Sequence, residues 1–343
     1  MASAWLTYRE NSIFGCLVKN FVRTASPIGS AFLAQTIQSS ISPATIRNVL
    51  MNLEDKGLVL QPYTSAGRIP TDEGYRYYVN DLMKVEKLTP TEKHIIDQYL
   101  RKIHNEDVQT ILDKACDLLS EISDQLGVVL SPQFFQGKFK RLELISLSDE
   151  KLLVVISISS EIVRTIMMEL KFQIPAYKIQ ETERILNERL SGLTLKEIKD
   201  SIKVRMSNVN YGEPKLINQF TEKADEIFTF DNDSLHFKGT SKILKQPEFA
   251  NQERLIKILQ LIDNQDILVH IIKSSTKKDD RFSITIGREH SEEMLKNCSL
   301  VSTAFQIGEI SGTIAVIGPT RMKYEKIVGV LDYVAKAINK LFS

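Results

Sequence analysis

The 343-residue chain balances 44 Lys and Arg against 43 Asp and Glu, with 43% hydrophobic and 25% charged residues. That is the make-up of an ordinary globular protein of about two or three domains, and the net charge of +1 excludes a surface that is basic all over, so any nucleic-acid site must be local. Cys16, Cys116 and Cys298 lie far apart without a CxxC, which excludes a disulfide framework and zinc-finger spacing; no stretch reaches the ~18 apolar residues of a membrane span, and a cytoplasmic protein is expected.

Residues 6–24 repeat apolar side chains at helical spacing through Ile13, Phe14, Leu17 and Val18. "SPIGS" breaks that helix, a short one follows from Ser30 to about Gln38, and "SSIS" predicts a tight turn. In "SPATIRNVLMNLEDKG", Ser42 is an N-cap, Pro43 sits at the first helical position and Gly57 is a stop. Ile46, Val49, Leu50 and Leu53 form one apolar stripe, leaving Ala44, Thr45, Arg47, Asn48 and Met51 largely off it. "LVLQPYTSAGRIP" reads as strand, turn and second strand near Arg68–Ile69, and Thr71 caps a helix over "DEGYRYYVNDLMKVE". A linker runs into a helix begun at Thr89 or Thr91, and a long amphipathic helix covers about 106–127.

From residue 138 the period changes to two, predicting three antiparallel strands with a turn at Ser148–Glu150. Residues 178–230 are helical and charged. "LHFK" is strand-like, "RFSITIG", "SLVSTAFQIG" and "ISGTIAVIGPT" are strands, and the last 22 or so residues form an amphipathic helix. A sheet interrupted by helices suggests one α/β domain carrying an insertion.

Catalytic patterns are poor. "GTIAVIGPT" has the wrong glycine spacing for a phosphate loop and Pro319 in place of its lysine. The five histidines form no HExxH, and no GxSxG occurs. No catalytic residue, metal ligand or cofactor is assigned. The N-terminal 85 residues instead have a helix-turn-helix layout with a wing, although a small helical bundle with a polar outer face fits the same pattern. As a helix-turn-helix, Arg47 and Asn48 would face bases and Thr45 a base or phosphate. Small residues at Ser65, Ala66 and Gly67 would let the backbone approach a phosphate. Arg68 is the only charge between Lys56 and Asp72, an uncompensated cation suited to backbone or minor-groove contact. Arg76, among Tyr75, Tyr77 and Tyr78, is a candidate for a phosphate contact or for pairing with an acidic neighbour.

"SPATIRNVLMNLEDKGLVLQPYTSAGRIPTDEGYRYYVNDLM", with "SPIGSAFLA" before it and "LTLKEI", "GTSKILKQPEF" and "IGPTRMKYEKIVGVLDYVAKAI" after it, resembles the HrcA family of bacterial heat-inducible transcription repressors over nearly the whole chain. The resemblance implies an α+β multidomain protein: a winged helix-turn-helix over 1–85, a linker helix over 86–105, a GAF-like domain over 106–180 and 251–343, and an inserted dimerising domain over 181–250. It implies a homodimer that represses groE- and dnaK-type chaperone operons by binding the CIRCE inverted repeat, is kept active by the chaperonin GroEL, and lets go on heat shock. The reading helix maps onto Ser42–Lys56, with Ser42, Thr45, Arg47 and Asn48 at the DNA. The wing maps onto Gln61–Pro70, with Thr64, Ser65, Gly67 and Arg68. An effector-gated regulator, with a small molecule in the GAF-like domain, is the alternative.

Overall fold

The structure, a computed structural model, describes residues 6–37, 41–103, 106–158, 162–229, 234–275 and 281–342. The turn expected at "SSIS" lies partly outside the described residues.

The N-terminal unit begins with α1 (Tyr8–Thr24), whose N-cap Thr7 and Glu10 form a reciprocal capping box. Next come α2 (Ser30–Thr36) and α3 (Pro43–Asp55), then a hairpin of β1 (Val59–Leu60) and β2 (Ile69–Pro70). Ile28 adds a third edge: its N–H and C=O bond to the backbone of Arg68 at 3.0 and 2.9 Å. Ile13, Phe14, Leu17, Leu33, Ile46 and Leu53 close the core of this unit. α4 (Asp72–Tyr77) is capped by Thr71 as expected, but it passes into a π-helical turn at Tyr78–Leu82 and stops about one turn before the expected end at residue 86. Tyr75 and Tyr78 turn toward Tyr324 and Glu325 in the rest of the molecule, whereas Tyr77 packs back on Phe14 and Asn11.

α5 (Pro90–Lys102) has a Thr89–Glu92 capping box. α6 (Val108–Ser123) ends at Asp124 in the left-handed region, and β3 (Leu126–Leu130) follows at once, buried along its whole length. β4 (Phe139–Ser148), β5 (Lys151–Ile158) and β6 (Ile162–Glu169) come next, then α7 (Ala176–Leu190), α8 (Leu195–Met206), α9 (Pro214–Glu222) and α10 (Ala224–Phe228). β7 (Leu235–Lys238) leads to α11 (Thr240–Leu244), α12 (Gln252–Asp263) and α13 (Gln265–Ser275). β8 (Ser283–Ile286), β9 (Cys298–Ile307), β10 (Ile310–Pro319) and α14 (Tyr324–Leu341) complete the chain.

Five strands form one antiparallel sheet in the order β7-β3-β10-β9-β8. α6 and α14 cover one face. On the other, α11–α13 bury Ile243, Ile258, Leu261 and Leu268 against Val128, Leu300 and Ile317. "GTIAVIGPT" is the buried end of β10, a packed strand.

β4–β6 pair only with one another, as a separate meander. The expectation that the strands after residue 138 belong to the central sheet, with a boundary at 180/181, is therefore corrected. The unit between β3 and β7 contains both the meander and α7–α10, which bury Leu142, Val154 and Ile156 against Ile185, Leu186 and Ile198. A period of two reveals a half-buried strand, not which sheet it joins.

Candidate nucleic-acid interface

α3 forms where its local chemistry dictates. The Ser42 hydroxyl accepts the Thr45 N–H at 3.2 Å, Pro43 occupies the first turn, and Gly57 takes φ +74° just past the end. Ile46, Val49, Leu50 and Leu53 are buried as the stripe predicts. Arg47 and Asn48 are exposed on the opposite side. Thr45 is half-buried and its hydroxyl lies 3.0 Å from that of Ser42, so this pair completes the cap at the outer end of the helix. Two exposed residues on the outward surface extend the set: Asn52, one turn beyond Asn48, and Met51, one turn beyond Arg47. Asn52 has a sequence signal in the i, i+4 spacing from Asn48.

The hairpin is built more firmly than a run of small residues suggests. The Gln61 side-chain amide donates to the carbonyls of Thr64 and Ala66, both at 2.9 Å, and the Ala66 N–H bonds the Tyr63 carbonyl at 2.8 Å. Thr64 and Ser65 are exposed at the tip, beside Tyr63, which is 63% exposed. Gly67 is needed inside the protein: a Cβ there would stand 2.3 Å from the Ile28 carbonyl carbon and 2.4 Å from its oxygen. Its small size serves the approach of two backbones, a correction to the reading of an open phosphate seat.

Arg68 is also corrected. It is not uncompensated: its Nη2 lies 2.8 Å from Glu54 Oε2, and its side chain is only 15% exposed. Glu54 accepts the Gln61 N–H at 3.2 Å through its other oxygen. One carboxylate in the last turn of α3 therefore holds both ends of the hairpin loop, and Arg68 ties the hairpin to α3. Nothing in the local sequence signals this pair, because the two residues belong to different elements.

Arg76 points away from this surface. Its guanidinium donates to Glu289 (Nε–Oε1, 2.7 Å) and to the Ile284 carbonyl (2.6 Å). The acidic-neighbour reading is the one realised. Close by, Asp72 accepts the Arg288 N–H at 3.0 Å. Burial pushes the Asp72 carboxyl above the usual range, partly offset by that bond. Burial acts on Glu289 the same way, but its bonds from Arg76 and the Ile286 N–H outweigh it and hold it low. A cavity of about 830 Å³ opens here between the N-terminal unit and the 288–289 loop, lined by Lys56, Asp72, Arg76 and Arg288 among others.

Among the described residues no group of His, Cys, Asp and Glu is arranged to hold a metal ion, and no helix is long and apolar enough to cross a membrane. Burial pushes the thiols of Cys116 and Cys298 up to about 12, which suits packed rather than reactive cysteines.

A crystal structure described only as that of a hypothetical protein superposes with a TM-score of 0.68 over 98% of both chains at 22% identity, a likeness of fold. The family model described as "HrcA protein C terminal domain" matches residues 109–328. Heat-inducible transcription repressor HrcA of Prosthecochloris aestuarii is 38% identical, over 98% of each chain. The protein of that name from Chlorobium phaeobacteroides is 37% identical, over 98% of this chain and 99% of its own. With this identity sustained from end to end, the chain belongs to the HrcA family.

Proposed function

We propose that the protein is a negative regulator of heat-shock transcription that binds operator DNA through α3 and the β1–β2 wing. The observation that carries this reading is the exposed Arg47–Asn48 face of a capped helix beside a hairpin tied to it through Glu54. Arginine reads guanine and asparagine reads adenine through paired hydrogen bonds in the major groove. We read the N-terminal unit as a winged helix-turn-helix, with Arg47, Asn48 and Asn52 toward base edges, and Ser42, Thr45, Thr64 and Ser65 toward phosphates. Arg68 and Gly67 hold the wing in place. The five-stranded antiparallel sheet between helical layers is read as the GAF-like domain, and the β4–β6 meander with α7–α10 as the insertion.

The finer parts of the proposal are a homodimer, the CIRCE inverted repeat and modulation by GroEL. Two-fold symmetry in the protein matches an inverted repeat. The homodimer is supported by the side of the meander away from α7–α10, where Ile145, Val163 and Met167 are 44, 58 and 55% exposed. Ile145 and Met167 flank Leu153 in register across three strands. An apolar sheet face of this kind suits a second copy of itself. CIRCE and GroEL rest on the family resemblance. The test is anisotropy binding of the purified chain to a CIRCE duplex and a scrambled duplex, with and without GroEL, alongside sedimentation. Preference for CIRCE by a dimer is expected; equal affinity for both duplexes refutes it.

A further inference from the structure

Segments far apart in the chain, Thr71–Tyr78 with Val22 on one side and Ile284–Glu325 on the other, meet at the joint behind the wing. Arg76 is held by Glu289 and the Ile284 carbonyl. Asp72 takes the Arg288 N–H. Tyr78 donates its hydroxyl to Glu325, and the Arg321 guanidinium reaches the Val22 carbonyl at 2.7 Å. The rings of Tyr75 and Tyr324, both buried, lie 5.9 Å apart. Gly287 sits at φ +51°, and a Cβ on it would stand 2.3 Å from Asp72 Oδ2. On the other side of the joint the linker is tied down as well: the Glu86 N–H bonds the Glu325 carbonyl at 3.1 Å, and Lys326 pairs with Glu92 at 2.9 Å. The N-terminal unit is thus attached by its linker and, separately, by a polar latch that is mainly on α4, with one further bond to α1 through Val22. Two attachments fix an orientation, whereas a linker alone allows the unit to swing.

We propose that this latch, with Arg76, Glu289 and Asp72 as positioning residues, sets the operator spacing that the dimer accepts. The inference rests on the dimeric operator-binding reading above. If each α3 is rigid against its own sheet domain, the dimer interface fixes the separation and tilt of the two reading helices, and only half-sites at the matching spacing engage both. A swinging unit would reach several spacings, each with a lower effective concentration for the second contact. The latch then determines specificity without touching a base.

The test uses the full-length dimer, a single half-site duplex, and inverted repeats whose spacer is shortened or lengthened by one to three base pairs. Two variants open the latch: Glu289→Ala with Gly287→Val, which leaves the N-terminal unit unaltered, and Arg76→Ala. The parent should show one sharp spacer optimum. Both variants should lose about ten-fold on that optimum, accept the other spacers more evenly, keep half-site affinity within about two-fold, and remain dimeric by sedimentation. The exchange Arg76→Glu with Glu289→Arg should restore part of the preference, which a general packing defect would not allow. An unchanged spacer profile in both variants overturns the proposal. So does a loss of half-site binding by Arg76→Ala with Glu289→Ala/Gly287→Val silent, because Arg76 would then be acting at the DNA. A parent that prefers no inverted repeat over a half-site overturns the operator reading itself, a distinct result.

Discussion

Glu54 holds Arg68 at 2.8 Å and the Gln61 N–H at 3.2 Å, so the last turn of α3 grips both strands of the hairpin. The pair is partly buried, 15% exposed at Arg68 and 35% at Glu54. Removing one partner leaves the other partly desolvated. Glu54→Ala should cost about 1–2 kcal/mol of stability, read by urea unfolding, and loosen the wing. Operator affinity separates two roles for Arg68. If it only holds the wing, Glu54→Ala and Arg68→Ala weaken binding alike; if it also meets phosphate, Arg68→Ala weakens it more and lowers the salt slope by about one.

Gly67→Ala should destabilise the N-terminal unit by about 1–3 kcal/mol. The added Cβ meets the Ile28 carbonyl and the Gly29 nitrogen, which are backbone atoms that cannot rotate aside. Thermal unfolding checks this. A variant as stable as the parent would return Gly67 to an open-surface role.

The hydrogen bond from Lys326, then those from the Thr89 N–H and hydroxyl, and last the Lys326 charge, hold Glu92 down at about 2, against its ordinary 4.5. A depressed carboxyl favours the folded state when ionised. Its contribution is therefore complete above about pH 4.5 and is lost as pH falls toward about 2. Lys326→Met should raise the Glu92 titration and move the acid unfolding midpoint upward. The carboxyl carbon shift of Glu92 followed by NMR is the direct measurement, and an unmoved titration would contradict the pairing.

Met167 is 55% exposed on the open side of the meander. Met167→Glu should leave the fold intact and shift sedimentation toward monomer, with operator affinity falling by at least ten-fold as the second half-site contact is lost. A variant that sediments as the parent dimer places the dimer interface elsewhere.

Much of α3 and its exposed face was legible in the sequence because both depend on local chemistry. The Ser42 cap, Pro43, Gly57 and the Ile46–Val49–Leu50–Leu53 stripe define α3 within a residue or two. β3 was not legible: Leu126–Leu130 is buried on both sides and shows no alternation, so it merged with the helix before it. Nor was the membership of β4–β6 legible, because alternation carries no partner. The roles of Arg68 and Arg76 depended on counter-charges on other elements. Glu54 lies on the helix before the wing, and Glu289 is 213 residues from Arg76, beyond the reach of periodicity or capping rules.

The central claim is that the outer face of α3 reads DNA, and Arg47 is exposed there without a role in the core. The most direct measurement is the affinity of Arg47→Ala for the CIRCE duplex and for a scrambled duplex at several salt concentrations, with the parent in parallel. The predicted result is a loss of about 1–3 kcal/mol on the operator, a much smaller loss on the scrambled duplex, and unaltered thermal unfolding. Equal binding of operator by variant and parent would contradict the account.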